Sequence, residues 1–362
     1  MFGDYFAGKR VLVTGLCGAK GVWLGWYLLE AGVSEVIGVD NADRLAGTCY
    51  WASGLGEEER VRLHPLDIRD TEDLGRLLAD LRPDAVAHLA AMAIVGECAE
   101  EPFRTYSTNV LGTASVLEAV CRSDVDRVLV VTTDKVYRDK HGAAWAEEDP
   151  LFATGPYAVS KACADVLARD YWSGYLGPVG KHLAVGRAGN VLAPGDHHDG
   201  RIFVDVARSL GRGEPPVILN PLFSRPYTFV GDVVSGYLSL LARCDCEGID
   251  GSAFNFGPPE QGGVPNGELA TLMCRMWGTD VQWRPGPARP EPFEHQSLDC
   301  SRARDLLHWR PAYDLQAALR QVVDWHRAEL SRPGPGAMRD ETLHAVREHV
   351  SAARSQGIAW AR

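Results

Sequence analysis

The segment "VLVTGLCGAKGVWL" (residues 11–24) decides the fold of this chain. A short β-branched run leads into glycines at Gly15, Gly18 and Gly21, and an apolar, helix-like segment follows. Glycines between a strand and a helix permit a tight turn and let backbone N–H groups approach a pyrophosphate at the helix N-terminus. The spacing G-x-x-G-x-x-G is a variant of the dinucleotide-binding fingerprint, with a purely structural turn as the alternative. Lys20 is not a P-loop lysine, because no G-K-[ST] sequence follows.

Carboxylates at the ends of the next two strand-like runs extend this prediction. The run "EVIGVD" (35–40) ends in Asp40, about 20 residues after the last glycine, where a carboxylate accepts hydrogen bonds from the adenosine ribose. Such an acid favours NAD over NADP, because it repels a 2′-phosphate. In "LDIRD" (66–70), Asp67 and Ile68 are placed to flank the adenine, although Asp67 serves equally well as a helix cap. We therefore predict NAD as the cofactor, with further binding residues at Asn41, Ala90 and Ala91.

Strand-like and helix-like segments alternate through the first half of the chain. Further strands are expected at 61–67, 85–90, 127–133 and 182–191, and helices at 18–31, 71–81, 105–122 and 157–172. Continuous apolar strands separated by helices indicate an α/β fold with a Rossmann-like, doubly wound parallel sheet.

The second half has a different texture, rich in Gly, Pro and His, and it predicts a smaller C-terminal α/β substrate domain. We assign residues 1–192 to an NAD-binding domain, with a return segment near 226–243, and residues 193–330 to a nucleotide-sugar-binding domain. Residues 331–362 form a linker and a tail helix, in which Leu343, Val346, Val350 and Ala353 have helical spacing.

Composition excludes several classes of function. The 362 residues are 46% hydrophobic and 23% charged, with a net charge of −11 and no basic run, so neither a nucleic acid nor an anionic membrane is expected as a partner. A locally basic pocket remains compatible with an anionic small substrate. The apolar runs are strand-sized and the first residues contain no signal core, which predicts a soluble, cytoplasmic protein. The "DHHD" segment (196–199) has no third ligand cluster nearby in sequence, so we predict no metal.

A second group of residues has the pattern of a proton-transfer site. Tyr157 and Lys161 in "GPYAVSKACAD" share one helix face, and an ammonium near a phenol lowers the pKa of the phenol. The pair Y-x-x-x-K also occurs in ordinary amphipathic helices. It becomes specific here because a strand ending in Thr133 precedes it, and Asn109 adds a polar group on a helix near the sheet edge.

These motifs together resemble the extended short-chain dehydrogenase/reductase superfamily over roughly residues 6–328. Within it, the likeness is greatest to the nucleotide-sugar 4,6-dehydratases, and among these to the CDP-glucose 4,6-dehydratase group. The segments that carry the resemblance are "FAGKRVLVTG", "GAKG", "TYSTNVLGT", "TTDKVY", "YAVSK", "RAGNV", "NPLFSRPY", "FNFGP" and "LDCSRARDLLHWRP".

The resemblance implies a catalytic role for the stretch "VTTDKVYR" (131–138). Hydride leaves C4 of a hexose for NAD while Tyr157, tuned by Lys161 and hydrogen-bonded with Thr133, takes the hydroxyl proton. Water is then lost across C5–C6, and the hydride returns to C6. We expect Asp134 to donate to the leaving hydroxyl and Lys135 to take the C5 proton, with exchanged roles as the alternative. A surface salt bridge in a turn is the non-functional alternative for this pair.

Substrate contacts also follow from the resemblance. Asn190 matches a position that meets the nucleotide-sugar, Arg201 and Arg225 match basic positions that face the diphosphate or nucleotide, and Asn109 joins the same set. Without the resemblance, each arginine is more simply a solvated surface charge. Helices 105–122 and 157–172 pair across a dimer interface in the superfamily, which implies a homodimer.

The chain departs from the CDP-glucose group near the expected sugar and nucleotide pocket. That group typically reads "GHTGFKGSWL", "AAQPLV" and "RPWQHV" where this chain reads "GLCGAKGVWL", "AAMAIV" and "RPYTFV". Another NDP-hexose, 5,6-dehydration and sugar epimerisation therefore stay open as alternatives. A non-catalytic NAD-binding sensor is a third reading, although such proteins commonly lose the Tyr or the Lys that are both present here.

Overall fold

A computed structural model describes residues 1–41, 47–258, 262–288 and 293–362. Its strands are β1 (Arg10–Thr14), β2 (Glu35–Asp40), β3 (Val61–Pro65), β4 (Ala85–His88), β5 (Arg127–Val131), β6 (His182–Ala188), β7 (Asn190–Leu192), β8 (Val217–Ile218), β9 (Ser224–Arg225), β10 (Tyr227–Phe229), β11 (Ala253–Phe256), β12 (Val264–Pro265) and β13 (Arg284–Pro285). Its helices are α1 (Ala19–Glu30), α2 (Cys49–Ala52), α3 (Thr71–Leu81), α4 (Val95–Glu100), α5 (Pro102–Tyr106), α6 (Gly112–Cys121), α7 (Pro156–Tyr171), α8 (Ile202–Gly211), α9 (Val230–Arg243), α10 (Asn266–Trp277), α11 (Ser301–Leu307), α12 (Leu315–Ser331) and α13 (Arg339–Ser355).

A seven-stranded parallel sheet forms the centre of the molecule, in the order β3-β2-β1-β4-β5-β6-β11. Its middle strands are buried along most of their length because helices cover both faces, which explains their continuous apolar sequences. The order reverses between β1 and β4, so the crevice where ligands bind in such sheets opens at the carboxyl ends of these strands. The predicted doubly wound α/β fold is confirmed.

The strand and helix predictions of the first half agree with the structure to within a few residues. The helix expected at 105–122 is α5 and α6 joined by a π-helical turn at Ser107–Leu111. The chain stays helical from Pro102 to Cys121, but the wider π-helical turn rotates the side chains of α6 relative to those of α5.

The second half of the chain contributes a helix and a strand to the central sheet and its covering helices. Helix α9, inside the segment 226–243, packs against α1, β5 and β6. Strand β11 lies within the range 193–330 yet pairs in parallel with β6 as an outer strand of the central sheet. The prediction that residues 193–330 form a separate substrate domain is therefore wrong for β11. This short strand follows an irregular segment and returns to the central sheet. The boundaries of the two domains otherwise stay predictions.

The tail forms helix α13, which buries Val346, Val350 and Ala353. His349 Nδ1 lies 2.6 Å from the Tyr27 hydroxyl, and its Nε2 lies 2.8 Å from Asp232 Oδ1. All three side chains are fully buried, so this chain of hydrogen bonds fastens the tail to α1 and α9.

Candidate active site

The glycine turn is fixed by close backbone contacts. Gly15 has φ +74°, and a Cβ placed on it would lie 2.7 Å from the Ala90 nitrogen. A Cβ on Gly21 would lie 2.1 Å from the Gly15 carbonyl oxygen, so neither position accepts a larger residue. Gly18 is the N-cap of α1. The turn therefore presents bare backbone and a helix N-terminus, which fits the pyrophosphate of a dinucleotide.

Asp40 ends β2 beside this turn, as the sequence predicts. Its Oδ2 accepts a hydrogen bond of 2.8 Å from the Cys17 backbone N–H. Burial raises the pKa of Asp40, while backbone hydrogen bonds from Cys17 and Asn41 oppose this shift. A partly buried carboxylate next to the glycine turn fits a ribose diol, which supplies two hydroxyl donors.

The structure after β3 tests one of the two readings of Asp67, the helix cap. Asp67 Oδ1 accepts hydrogen bonds from the Arg69 backbone N–H at 2.9 Å and from Arg69 Nε at 3.0 Å. The N-cap of α3 is Asp70, whose side chain accepts from the Asp73 backbone N–H, so the cap reading of Asp67 is wrong. Ile68 is 5% exposed and packs against Gly112. Its contact with the adenine stays a prediction, as does that of Asp67.

Ala90 and Ala91 follow β4 next to the glycine turn and are partly buried. The Ala90 N–H donates to Thr14 Oγ1 at 3.2 Å. His88, at the end of β4, lies between the hydroxyls of Thr14 (2.7 Å) and Thr113 (2.9 Å). Burial lowers the pKa of His88 to about 3, with the charge of Lys161 as a further cause, so this ring is neutral and supports the strand ends.

The stretch after β5 forms a short helical turn at the crevice. Thr133 Oγ1 donates to Asp134 Oδ1 at 3.1 Å, and Lys135 Nζ lies 3.7 Å from the same oxygen. Asp134 is fully buried, and its Oδ2 has no hydrogen-bond partner within the described residues. Lys135 is 23% exposed and donates to Asn190 Oδ1 at 3.4 Å. Burial of Asp134 excludes the reading of this pair as a surface salt bridge.

Tyr157 and Lys161 lie one turn apart on α7 and both reach this region. Burial raises the pKa of Tyr157 to about 12, while a hydrogen bond with Thr133 and the charge of Arg201 lower it. Lys161 Nζ donates to the Val131 carbonyl at 2.9 Å, and burial lowers its pKa to about 7, with Lys20 as the next cause. Thr133 and Arg201 are thus among the groups that lower the pKa of Tyr157, and the same effect of Lys161 stays a prediction.

The arginines predicted to bind substrate lie in different surroundings. Arg201 Nε is 2.7 Å from Asp196 Oδ2, and the charge of this arginine acts on Tyr157. Arg225 is 5% exposed and donates to the carbonyls of Ser224 (2.8 Å) and Glu294 (3.1 Å). Arg201 thus belongs to the crevice, whereas Arg225 is built into the chain around β9.

Asn109 does not have the predicted place. It is 1% exposed, its Oδ1 accepts from the Met92 backbone N–H (2.8 Å), and its Nδ2 donates to the Met92 carbonyl (3.0 Å) and Ser160 Oγ (2.9 Å). Both amide hydrogens are used in a buried site, so a direct substrate contact by this side chain is contradicted. Asn109 instead joins the segment after β4 to helix α7.

A buried ion pair beneath the site has no counterpart in the sequence predictions. Arg187 donates to Asp165 through Nε (2.8 Å) and Nη2 (2.7 Å), and the two side chains are 1% and 0% exposed. Thr132 donates to Asp165 at 3.1 Å, and Arg187 donates to the Tyr137 hydroxyl at 2.8 Å. The pair thus ties α7 to the ends of β5 and β6. The motif "RAGNV" includes Arg187, but its partner cannot be identified from spacing.

The "DHHD" loop is occupied by ion pairs. Asp196 contacts His198 as well as Arg201, and His197 Nε2 lies 2.8 Å from Glu329 Oε1. Across the described ranges, no group of three His, Cys, Asp or Glu side chains has the arrangement of a metal site. Within the same ranges, no helix combines the length and the apolar character needed to cross a membrane.

Comparison with known proteins identifies the family of this chain. A family model described as the NAD dependent epimerase/dehydratase family matches residues 11–257. The chain belongs to the NAD dependent epimerase/dehydratase family. It is thereby a member of the extended short-chain dehydrogenase/reductase superfamily, and its cofactor is NAD.

The proteins similar to this chain include both 4,6-dehydratases and 4-epimerases of nucleotide sugars. The chain is 34% identical to a CDP-glucose 4,6-dehydratase of Salmonella typhimurium over 334 residues, which cover 90% of this chain and 92% of the relative. The dTDP-glucose 4,6-dehydratase DesIV of Streptomyces venezuelae, solved with NAD bound, has a TM-score of 0.76 at 27% identity and covers 88% of this chain and 97% of its own. A UDP-glucose 4-epimerase of Thermotoga maritima, solved with UDP-glucose, has a TM-score of 0.77 at 27% identity and covers 89% and 99%. The chain is therefore an enzyme of the nucleotide-sugar dehydratase and epimerase family.

Proposed function

We propose that this enzyme is an NDP-hexose 4,6-dehydratase, a lyase that converts a CDP-glucose-like sugar nucleotide to a 4-keto-6-deoxy sugar. The observation that carries the proposal is the pair of the fully buried Asp134 and the partly buried Lys135 directly after Thr133. Interconverting the two C4 epimers through a ketone requires neither an acid at C6 nor a base at C5, whereas elimination of water requires both. The identity of 34% to a CDP-glucose 4,6-dehydratase supports the same outcome.

The proposed roles follow from which groups can move a proton. Tyr157 accepts the proton of the C4 hydroxyl, and Thr133 holds the phenol by a hydrogen bond. Held by the glycine turn and Asp40, NAD would supply the hydride chemistry, by accepting a hydride from C4 and returning it at C6, and would not be consumed. Lys161 shares a helix face with Tyr157, so we assign Lys161 to the same part of the site, beside the C4 hydroxyl.

The elimination uses the turn after β5. The 4-ketone acidifies the C5 proton, which Lys135 accepts as the C5–C6 double bond forms. The C6–O bond breaks, and the hydroxyl leaves as water with a proton from Asp134. Hydride addition at C6 leaves an enolate, which takes a proton back at C5 from Lys135. Asp134 and Lys135 are close enough to act as one unit, so the opposite division of the two roles stays an alternative.

Substrate contacts are proposed for two residues beside these groups. Asn190 accepts from Lys135, and Arg201 acts on Tyr157, so both adjoin the reacting centre. The guanidinium of Arg201 suits a phosphate oxygen because it offers several donors in one plane.

A sugar-nucleotide epimerase is the second candidate, because epimerases share this fold at comparable similarity. Incubation of the purified protein with CDP-, dTDP-, UDP- and GDP-glucose separates the two by product mass. Loss of one water supports the dehydratase and identifies the base. An unchanged mass with altered stereochemistry contradicts it in favour of the epimerase.

We also propose a homodimer that pairs the helical course 102–121 with α7. Leu111 and Val166 on these helices are 61% and 52% exposed, which supports burial against a second copy. Light scattering should give twice the chain mass for the wild type and a lower mass for Leu111→Asp. Exposed Leu222, which lies outside these helices, provides the control Leu222→Asp, which should leave the mass unchanged. A monomeric wild type would contradict the dimer.

A further inference from the structure

Lys20 is a cation of the site to which the proposed reaction gives no role. It lies in the first turn of α1, between Ala19 and Gly21, and is partly buried. No hydrogen bond or ion pair joins it to another residue of the described ranges. A partly desolvated ammonium without a partner is unfavourable, so a ligand that supplies negative charge would stabilise it.

The direction of Lys20 follows from its helix. Lys20 and Trp23 share a face because they are three residues apart. Trp23 Nε1 donates to the Pro194 carbonyl at 3.0 Å, so this face of α1 lies against the loop that carries Asp196 and Arg201. Lys20 therefore points from the glycine turn toward the side of the crevice assigned to the sugar nucleotide.

Charged residues from three other segments of the chain interact electrostatically with Lys20. The cations are Lys20, Lys135, Lys161 and Arg201, and the carboxylates are Asp134 and Asp196. Lys20, Lys135 and Arg201 outnumber the two carboxylates, and Lys161, whose pKa is about 7, adds only part of a charge, so positive charge is in slight excess. Burial lowers the pKa of Lys20 to about 8, so most of the ammonium charge is still present at pH 7. This local excess contrasts with the net charge of −11 for the whole chain, and it favours an anionic ligand.

We propose that Lys20, together with Arg201, binds the diphosphate of a nucleotide ligand. The inference rests on the proposed function, since it concerns a ligand of that same site. Two ligands of such an enzyme carry a diphosphate, the sugar nucleotide and the dinucleotide. The neighbours Asp134, Lys135 and Arg201 favour the sugar nucleotide, because the adenosine end of the cofactor is marked by Asp40 on the other side of the turn.

The test is calorimetric titration of the purified chain at pH 7 with CDP, UDP, dTDP, GDP and NAD, each alone. Lys20→Met removes the charge, Lys20→Gln is a second neutral variant should the first fail to fold, and Lys20→Arg retains the charge. Lys9→Met is the matched control, because Lys9 precedes β1 and lies at the opposite end of the sheet. A charged hydrogen bond of this kind corresponds to about a 10- to 100-fold change in affinity.

We expect the neutral variants to lose about 10- to 100-fold in affinity for the diphosphate that the wild type binds best, with NAD changed by less than about threefold. Lys20→Arg should recover most of the loss, and Lys9→Met should bind like the wild type. A loss confined to NAD would support the diphosphate role but assign it to the cofactor. Unchanged affinity for every titrant would overturn the inference while leaving the proposed function intact. A wild type that binds none of these ligands would overturn the proposed function itself.

Discussion

The buried Arg187–Asp165 pair provides a sharp test of how helix α7 is held against the sheet. Replacing Arg187 with Met removes the charge and keeps an unbranched side chain. Asp165 then remains fully buried with Thr132 at 3.1 Å and Arg169 Nε at 3.2 Å as its remaining partners. Removal of one partner from a buried pair typically costs about 3–5 kcal/mol. Because two partners remain, we expect a loss of about 3 kcal/mol in the free energy of unfolding.

The same carboxylate supplies its own control. Arg169 contacts Asp165 as well, but its side chain is 41% exposed, so Arg169→Met should cost less than about 1 kcal/mol. Urea denaturation followed by fluorescence and circular dichroism measures both values. Equal losses for the two variants, or a loss below about 1 kcal/mol for Arg187→Met, would refute the claim that burial makes this pair a principal tie between α7 and the sheet.

Three further predictions concern individual residues of the site. Lys135→Met should slow elimination by about 10²- to 10⁴-fold but leave C4 oxidation, so reduced cofactor accumulates at 340 nm in a single turnover. Lys161→Met should be more stable than the wild type by roughly 2 kcal/mol at pH 7, a difference that shrinks toward pH 10 in urea denaturation. Asn109→Ala should cost about 2–3 kcal/mol of unfolding free energy without raising KM, whereas Ser160→Ala should cost about 1 kcal/mol.

The pH prediction follows from the lowered pKa of Lys161. Between pH 7 and its ordinary value of 10.5, the unfolded chain holds a proton on Lys161 that the folded chain does not, so wild-type stability rises with pH in this window. The gross effect of about 4–5 kcal/mol at pH 7 is reduced by loss of the hydrogen bond to the Val131 carbonyl. A Lys161→Met variant no more stable than the wild type at pH 7 would contradict this reasoning.

The other two predictions have equally clear contrary results. If Lys135→Met slows oxidation and elimination equally, Lys135 does not act specifically at C5. If Asn109→Ala raises KM without loss of stability, the amide contacts substrate after all, and the buried bonds to Met92 do not describe its role.

The parts of the fold that depend on local pattern were predictable from sequence. The glycine turn and Asp40 are set by neighbours close in the chain, and the apolar strands are set by burial on both faces. The order Thr133-Asp134-Lys135 after a buried strand likewise placed these groups together at the crevice.

Features that depend on distant partners were not predictable. Arg187 and Asp165 are 22 residues apart on different elements, and nothing in the spacing specifies their pairing. A polar residue on a helix near the sheet edge looks the same in sequence whether it contacts substrate or, like Asn109, holds the backbone. Strand β11 was missed because it is only four residues long and follows an irregular segment.

The most direct test of the central claim follows the hydrogen at C4. The NAD-loaded enzyme is given CDP-glucose deuterated at C4, or the C4-deuterated NDP-glucose whose nucleotide it binds best. The product is examined by mass spectrometry and NMR. The account predicts loss of one water and recovery of the deuterium at C6, because the hydride removed at C4 returns to the carbon that lost its hydroxyl. Deuterium retained at C4 in a product of unchanged mass and altered stereochemistry would contradict it.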